Sequence, residues 1–141
     1  MIRKIMVALD ESKKAEAEAV IALTAEMGQK LDAQIILFQA VEVLALMKED
    51  RKAEAKEYKE SALEFLNSIK NKLRDQGVDS SIFVEEGEPG NAVCEYAKKE
   101  GIDMIIIGAR HRSRVGKLIL GSIAQYIILE APCPVLAKTV H

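Results

Sequence analysis

Residues 104–107, Met-Ile-Ile-Ile, are apolar without a polar break, and this missing alternation constrains the fold more than any other feature of the chain. A strand with one wet face alternates apolar and polar side chains, whereas a strand covered on both faces does not. Sheets covered on both faces are built of parallel strands joined by helices, and the remaining sequence alternates accordingly. Apolar runs at 5–9 and 33–38 predict the first two strands. Between them Val20, Leu23 and Met27 share one face of a helix to about residue 29, with Ser12 as its cap and Gly28 and Leu31-Asp32 closing the unit. Ala55, Tyr58, Ala62, Phe65, Leu66, Ile69 and Leu73 recur at the helical period and predict a helix over 51–74, ended by Gly77. The apolar segment 43–47 before it reads as a core-facing helix start, with a lid or a partner contact as the alternatives. A third strand follows at 81–85. A helix over 91–99, capped by Asn91 and ended by Gly101, turns Val93, Tyr96 and Ala97 inward. A helix over 122–129, a break at Pro132 and a strand over 135–137 complete the pattern.

The 141 residues, 49% hydrophobic, suffice for one domain over 1–141 with a core of its own. Aromatic residues make up only 4% and Trp is absent, so the core is aliphatic and a stacking surface for single-stranded nucleic acid is missing. A net charge of −2 also disfavours nucleic acid as a partner. Cys94 and Cys133 lack metal-ligand spacing and read as reduced core residues, while His111 and His141 are too few for a zinc site. No apolar run reaches membrane-spanning length and the first residues do not resemble a cleavable leader, so the expected location is the cytoplasm, away from membranes.

The buried strand at 104–107 leads into a segment that begins at Gly108 and ends at Gly121-Ser122. Arg110, Arg112, Arg114 and Lys117 place four fixed positive charges within it, and His111 adds a titratable one. Gly108 is expected to turn the chain at the strand's carboxyl end. Gly121-Ser122 opens a helix whose free N–H groups and positive dipole end face the same space. Taken singly, these features have ordinary explanations: a solvated basic loop, turn glycines, and Ser122 as a helix cap. Asp10 likewise is a favoured acid near a helix start. Together the features at 108–122 describe a phosphate-binding loop.

That pattern resembles the universal stress protein family, whose nucleotide-binding members carry Gly, two residues, Gly, nine residues, Gly, then Ser or Thr. Gly108, Gly121 and Ser122 fall on the first, third and fourth positions, and His111 stands where the second glycine would be. Met6-Val-Ala-Leu-Asp10 resembles the family's first strand with its terminal aspartate, and Pro132-Cys-Pro-Val-Leu136 resembles its last strand. The resemblance implies an α/β fold, a three-layer α/β/α sandwich around a mostly parallel five-stranded sheet of order 3-2-1-4-5. Ligands of such sheets sit beyond the carboxyl ends of the strands, where the order reverses, so Asp10 and Gly108 would face each other.

The resemblance also implies a nucleotide-binding set. Asp10 would lie against the adenosine and the backbone of Ala40 and Val41 against the adenine edge. Gly108, Arg110, His111, Gly121 and Ser122 would surround the phosphates of ATP, with Mg or Mn bridging them. His111 keeps the backbone N–H that a glycine would offer and adds an imidazole donor, although a positive φ there would cost strain. The implied protein is a cytoplasmic stress-response module, a homodimer paired through its apolar last strand that switches with adenine-nucleotide occupancy. No general base stands out beyond Asp10, so binding without efficient turnover is expected. The alternatives are a chaperone-like dimer that does not bind ATP and a slow ATPase or nucleotidyl transferase.

Overall fold

The chain runs β1 (Lys4–Ala8), α1 (Lys14–Leu31), β2 (Gln34–Val41), α2 (Lys48–Asp75), β3 (Ser80–Glu86), α3 (Pro89–Glu100), β4 (Met104–Arg110), β5 (Arg112–Arg114), β6 (Lys117–Ile119), α4 (Ser122–Glu130) and β7 (Val135–Val140). This computed structural model describes residues 1–42, 48–110, 112–114 and 117–140, with backbone alone at 48–51, 112–114 and 117–119. The apolar segment 43–47 and His111 lie outside the described residues.

Five strands form one sheet in the order β3-β2-β1-β4-β7, and every neighbouring pair is parallel. The central strands are those with unbroken apolar runs: Ile5, Met6 and Val7 in β1 and residues 104–107 in β4 are all buried. Helices cover both faces, as continuous burial requires. On one face Val20 and Ile21 of α1 join Leu66, Ile69 and Leu73 of α2 against the sheet. On the other Val93, Tyr96 and Ala97 of α3 join Ala124 and Ile127 of α4, with the Tyr96 ring 4.8 Å from that of Phe38. The edge strands β3 and β7 are only partly buried.

Several local expectations are corrected. β4 continues past the apolar run to Arg110, so Gly108 lies inside the strand opposite Lys138 of β7 and makes no turn. The segment beyond it is not merely loop, because β5 and β6 pair antiparallel, with Arg112 opposite Ile119 and Arg114 opposite Lys117. Charged residues at alternate positions hide such a ribbon from an argument based on apolar periodicity. None of the three expected side-chain caps forms. Ser12 precedes α1, whose cap position is Lys13, and α3 begins at Pro89 with Glu88 at the cap position. Proline's fixed φ suits the first helical position, and Asn91 therefore falls within the first turn. Gly121 holds the cap position of α4, which leaves Ser122 as its first helical residue. Gly28 sits inside α1 against Val78, so of the residues expected to close the unit it is Asp32, with φ of 49°, that ends the helix. Tyr58, expected inward, is 42% exposed.

Candidate functional site

At the carboxyl end of β1, Ala8 lies opposite both Phe38 and Ile107, and β2 and β4 run on past it to Val41 and Arg110. Beyond this level β1 and β4 feed helices that pack on opposite faces of the sheet, and a cleft opens between them, as expected where strand order reverses. It holds about 750 Å³ of empty space and is open to solvent. Its wall is apolar where Ala8, Ala40, Ile107, Val93, Ile123 and Ile127 meet, and its polar groups are Asp10, Lys13, Glu16 and Arg110. Concave apolar clefts with a few polar groups are typical of small-ligand sites.

Each polar group is held by a local reason. Asp10 folds the β1–α1 connection onto itself: its Oδ1 accepts the Ser12 N–H at 2.9 Å and the Ser12 hydroxyl at 2.7 Å, and its carbonyl accepts the Lys13 N–H at 2.9 Å. Lys13 then stands at the start of α1 and lines the cleft, with Glu16 one turn further on. The Arg110 Nε lies 4.0 Å from the Glu16 carboxylate, linking the end of β4 to α1. The arginine side chain is exposed while that of Glu16 is mostly buried.

The two glycines of the cleft differ in origin. Gly108 is dictated by packing, since a Cβ there would lie 2.5 Å from the Glu16 carbonyl oxygen. Gly121 is not, because its φ of −61° and ψ of 155° suit any residue and no described atom lies within 4 Å of where its Cβ would be. Among the described residues, Gly121 therefore leaves open space at the N-terminus of α4. The first N–H groups of that helix have no intrahelical partner, no side chain among the described residues caps them, and the helix dipole makes them an anion-attracting group.

The structure thus brings Asp10, Ala40, Gly108, Arg110 and Gly121 to one cleft. It does not bring Val41 or Ser122 to the cleft wall; Val41 is buried and its carbonyl accepts the Gly87 N–H at 2.9 Å. Sequence reasoning missed Lys13 and Glu16, and also Pro89, Val93, Ile123 and Ile127. The first pair could have been found from their place in the first turn after β1. The apolar four are indistinguishable in sequence from core positions. Among the described residues no group of three or more His, Cys, Asp and Glu is placed to hold a metal ion, and no helix is long and apolar enough to cross a membrane. Cys94 and Cys133 are free, and burial raises both thiols above their usual range.

A doubly covered parallel sheet with a cleft at its reversal of strand order belongs to the open α/β class, which takes ligands beyond the strand ends. Comparison with known proteins narrows the class. The profile of the Universal stress protein family matches residues 1–137. A universal stress protein of Synechocystis is 29% identical over 148 residues, covering 94% of this chain and 95% of the relative. The solved structure of a universal stress protein from Archaeoglobus fulgidus in complex with dAMP aligns with a TM-score of 0.69 at 25% identity, over 97% of this chain and 98% of that one. The Methanocaldococcus jannaschii protein MJ0577 shares the fold, with a TM-score of 0.85 at 23% identity over 100% of this chain and 98% of that one. The chain belongs to the universal stress protein family.

Proposed function

We propose that this protein binds an adenine nucleotide, ATP foremost, in the cleft at the carboxyl ends of β1 and β4. The observation that carries this reading is Gly121: neither its backbone conformation nor its packing among the described residues requires a glycine there, and its bareness leaves room among them for a phosphate against the free N–H groups of α4. The apolar wall suits a base, and Arg110 and Lys13 supply charge for the phosphates. Asp10 lies against the adenosine, the Ala40 backbone against the adenine edge, and Gly108 and Ser122 near the phosphates, while Mg or Mn is held chiefly by the phosphates themselves. The dAMP bound by the Archaeoglobus relative supports the ligand class.

In this reading the protein acts in the cytoplasm as a nucleotide-dependent stress switch. It does so as a homodimer, because β7 bonds to β4 on one edge and its partly buried, largely apolar strand has no partner on the other among the described residues. The test is calorimetry with ATP and magnesium on the wild-type protein and on Gly121→Val. Micromolar binding that disappears in a folded Gly121→Val protein is the expected result. Equal affinity in the two proteins removes the site, and absence of binding in the wild type removes the function.

A further inference from the structure

We propose that Gln39, which does not touch the cleft, is a positioning residue for it and acts through Glu11. The proposal rests on the nucleotide reading of the cleft. Gln39 is 4% exposed, a carboxamide placed among the apolar residues of β2. Burying such a group is costly unless its hydrogen bonds are made, and the bond made here leads toward the cleft: the Glu11 N–H donates to Gln39 Oε1 at 3.2 Å. The Glu11 side chain points the other way, where its Oε2 accepts the Ser61 hydroxyl of α2 at 2.7 Å. Glu11 is thus fastened to β2 through its backbone and to α2 through its carboxylate.

The neighbours of Glu11 give this fastening its consequence. Asp10 and Lys13 line the cleft, whereas Glu11, Gln39 and Ser61 do not. The hydrogen bonds of Asp10 to Ser12 and Lys13 close the connection on itself and leave its orientation to be set elsewhere. Before it, the Leu9 N–H donates to the Phe38 carbonyl at 2.8 Å, which continues the β1–β2 pairing up to the connection. The two bonds at Glu11 then prevent the connection from pivoting about Leu9, so that Asp10 and Lys13 face the ligand together.

The test uses Gln39→Met, which keeps the length and removes the acceptor, and Ser61→Ala and Ser61→Thr at an exposed position. Each is examined alone, and Gln39→Met and Ser61→Ala also in an Asp10→Ala background. Calorimetry with ATP and magnesium should show a loss of about two- to tenfold in affinity for Gln39→Met and for Ser61→Ala, the effect of one hydrogen bond. Ser61→Thr, which keeps the hydroxyl, should restore binding. Both losses should be smaller once Asp10 is alanine, with a remainder carried by Lys13, because groups acting through one another are not additive. Unchanged affinity in the single variants, or full additivity with Asp10→Ala, overturns the proposal. If Gln39→Met does not fold, Ser61→Ala decides in the same way. A wild-type protein that fails to bind ATP removes the nucleotide reading, and amide hydrogen exchange of Glu11 then tests the fastening alone. Faster exchange in Gln39→Met and Ser61→Ala upholds it, and unchanged exchange overturns it.

Discussion

Gly108 in β4 packs so closely on α1 that a Cβ there would lie 2.5 Å from the Glu16 carbonyl oxygen and 2.8 Å from the Glu16 Cβ. A backbone oxygen cannot rotate away as a side chain would, so any larger residue at 108 has to displace the first turn of α1. Gly108→Ala is therefore expected to cost about 1–3 kcal/mol of stability, the usual cost of overpacking. It should also weaken nucleotide binding, because Lys13 and Glu16 move with the helix. Gly121→Ala should change stability by no more than about 0.5 kcal/mol, as at an unencumbered surface position. Urea denaturation of the two variants checks the contrast, and similar losses in both would contradict it.

Gly90 and Tyr126 make a second close approach, between α3 and α4. A Cβ on Gly90 would stand 2.7 Å from the tyrosine ring at Cδ1. In isolation, alanine in a helix is favoured over glycine by about 0.5–1 kcal/mol, so the sign of Gly90→Ala depends on the ring. The substitution should destabilise the wild-type protein and become neutral or stabilising when Tyr126 is also alanine. A double-mutant cycle on unfolding free energy should return a coupling of about 0.5–3 kcal/mol; a coupling near zero would show that the ring does not set the spacing of α3 and α4.

The contact of Arg110 with Glu16 at 4.0 Å joins an exposed cation to a carboxylate within the same cleft. Pairs of this kind contribute little to stability, but the carboxylate repels an incoming phosphate. Glu16→Gln should thus leave the melting temperature nearly unchanged and raise ATP affinity by about twofold, corresponding to a few tenths of a kcal/mol. Arg110→Ala should lower affinity, and added salt should narrow both differences. An affinity that falls in Glu16→Gln would mean that the carboxylate contacts the ligand favourably.

Asp103 gives the protein a defined acid limb. Its Oδ2 accepts the N–H groups of Arg3 and Lys4 at 2.9 Å each, and these bonds, Arg3 first, hold the carboxyl below its usual range. The folded pKa is therefore lower than the unfolded one. The stabilisation is present above the ordinary carboxylate value, near pH 4, and is lost as pH falls through the folded value. In Asp103→Asn the decline of melting temperature below about pH 4 should be shallower than in the wild type. Superimposable acid limbs would exclude Asp103 as a source of the decline.

The element sequence was legible because burial on two faces leaves unbroken apolar runs, and helical burial leaves a period of 3.6 residues. Residues 5–7 and 104–107, and the stripe from Ala62 to Leu73, needed no tertiary knowledge to be recognised as core. The start of α4 at Ser122 was legible, but the caps of the helices were not. Ser12, Asn91 and Ser122 have the chemistry of a cap, yet Ser12 bonds to Asp10, Pro89 begins α3, and Gly121 takes the cap position of α4. A short polar side chain has several nearby backbone partners, and the surrounding structure selects among them.

The sequence by itself determined a parallel, doubly covered α/β fold and singled out Asp10, Gly108, Arg110 and Gly121, which line one cleft, because periodicity and family spacing are properties of the chain. The tertiary structure alone decided why those residues are there. Gly108 answers to the Glu16 carbonyl of α1, while Gly121 answers to no described neighbour. Val93, Ile123 and Ile127 became cleft wall, and Gln39 and Ser61 came to meet at Glu11, on residues 28 and 50 positions away in sequence. Such contacts depend on where helices cross the sheet, and that geometry is set by the packing of all the layers together, which no local pattern encodes.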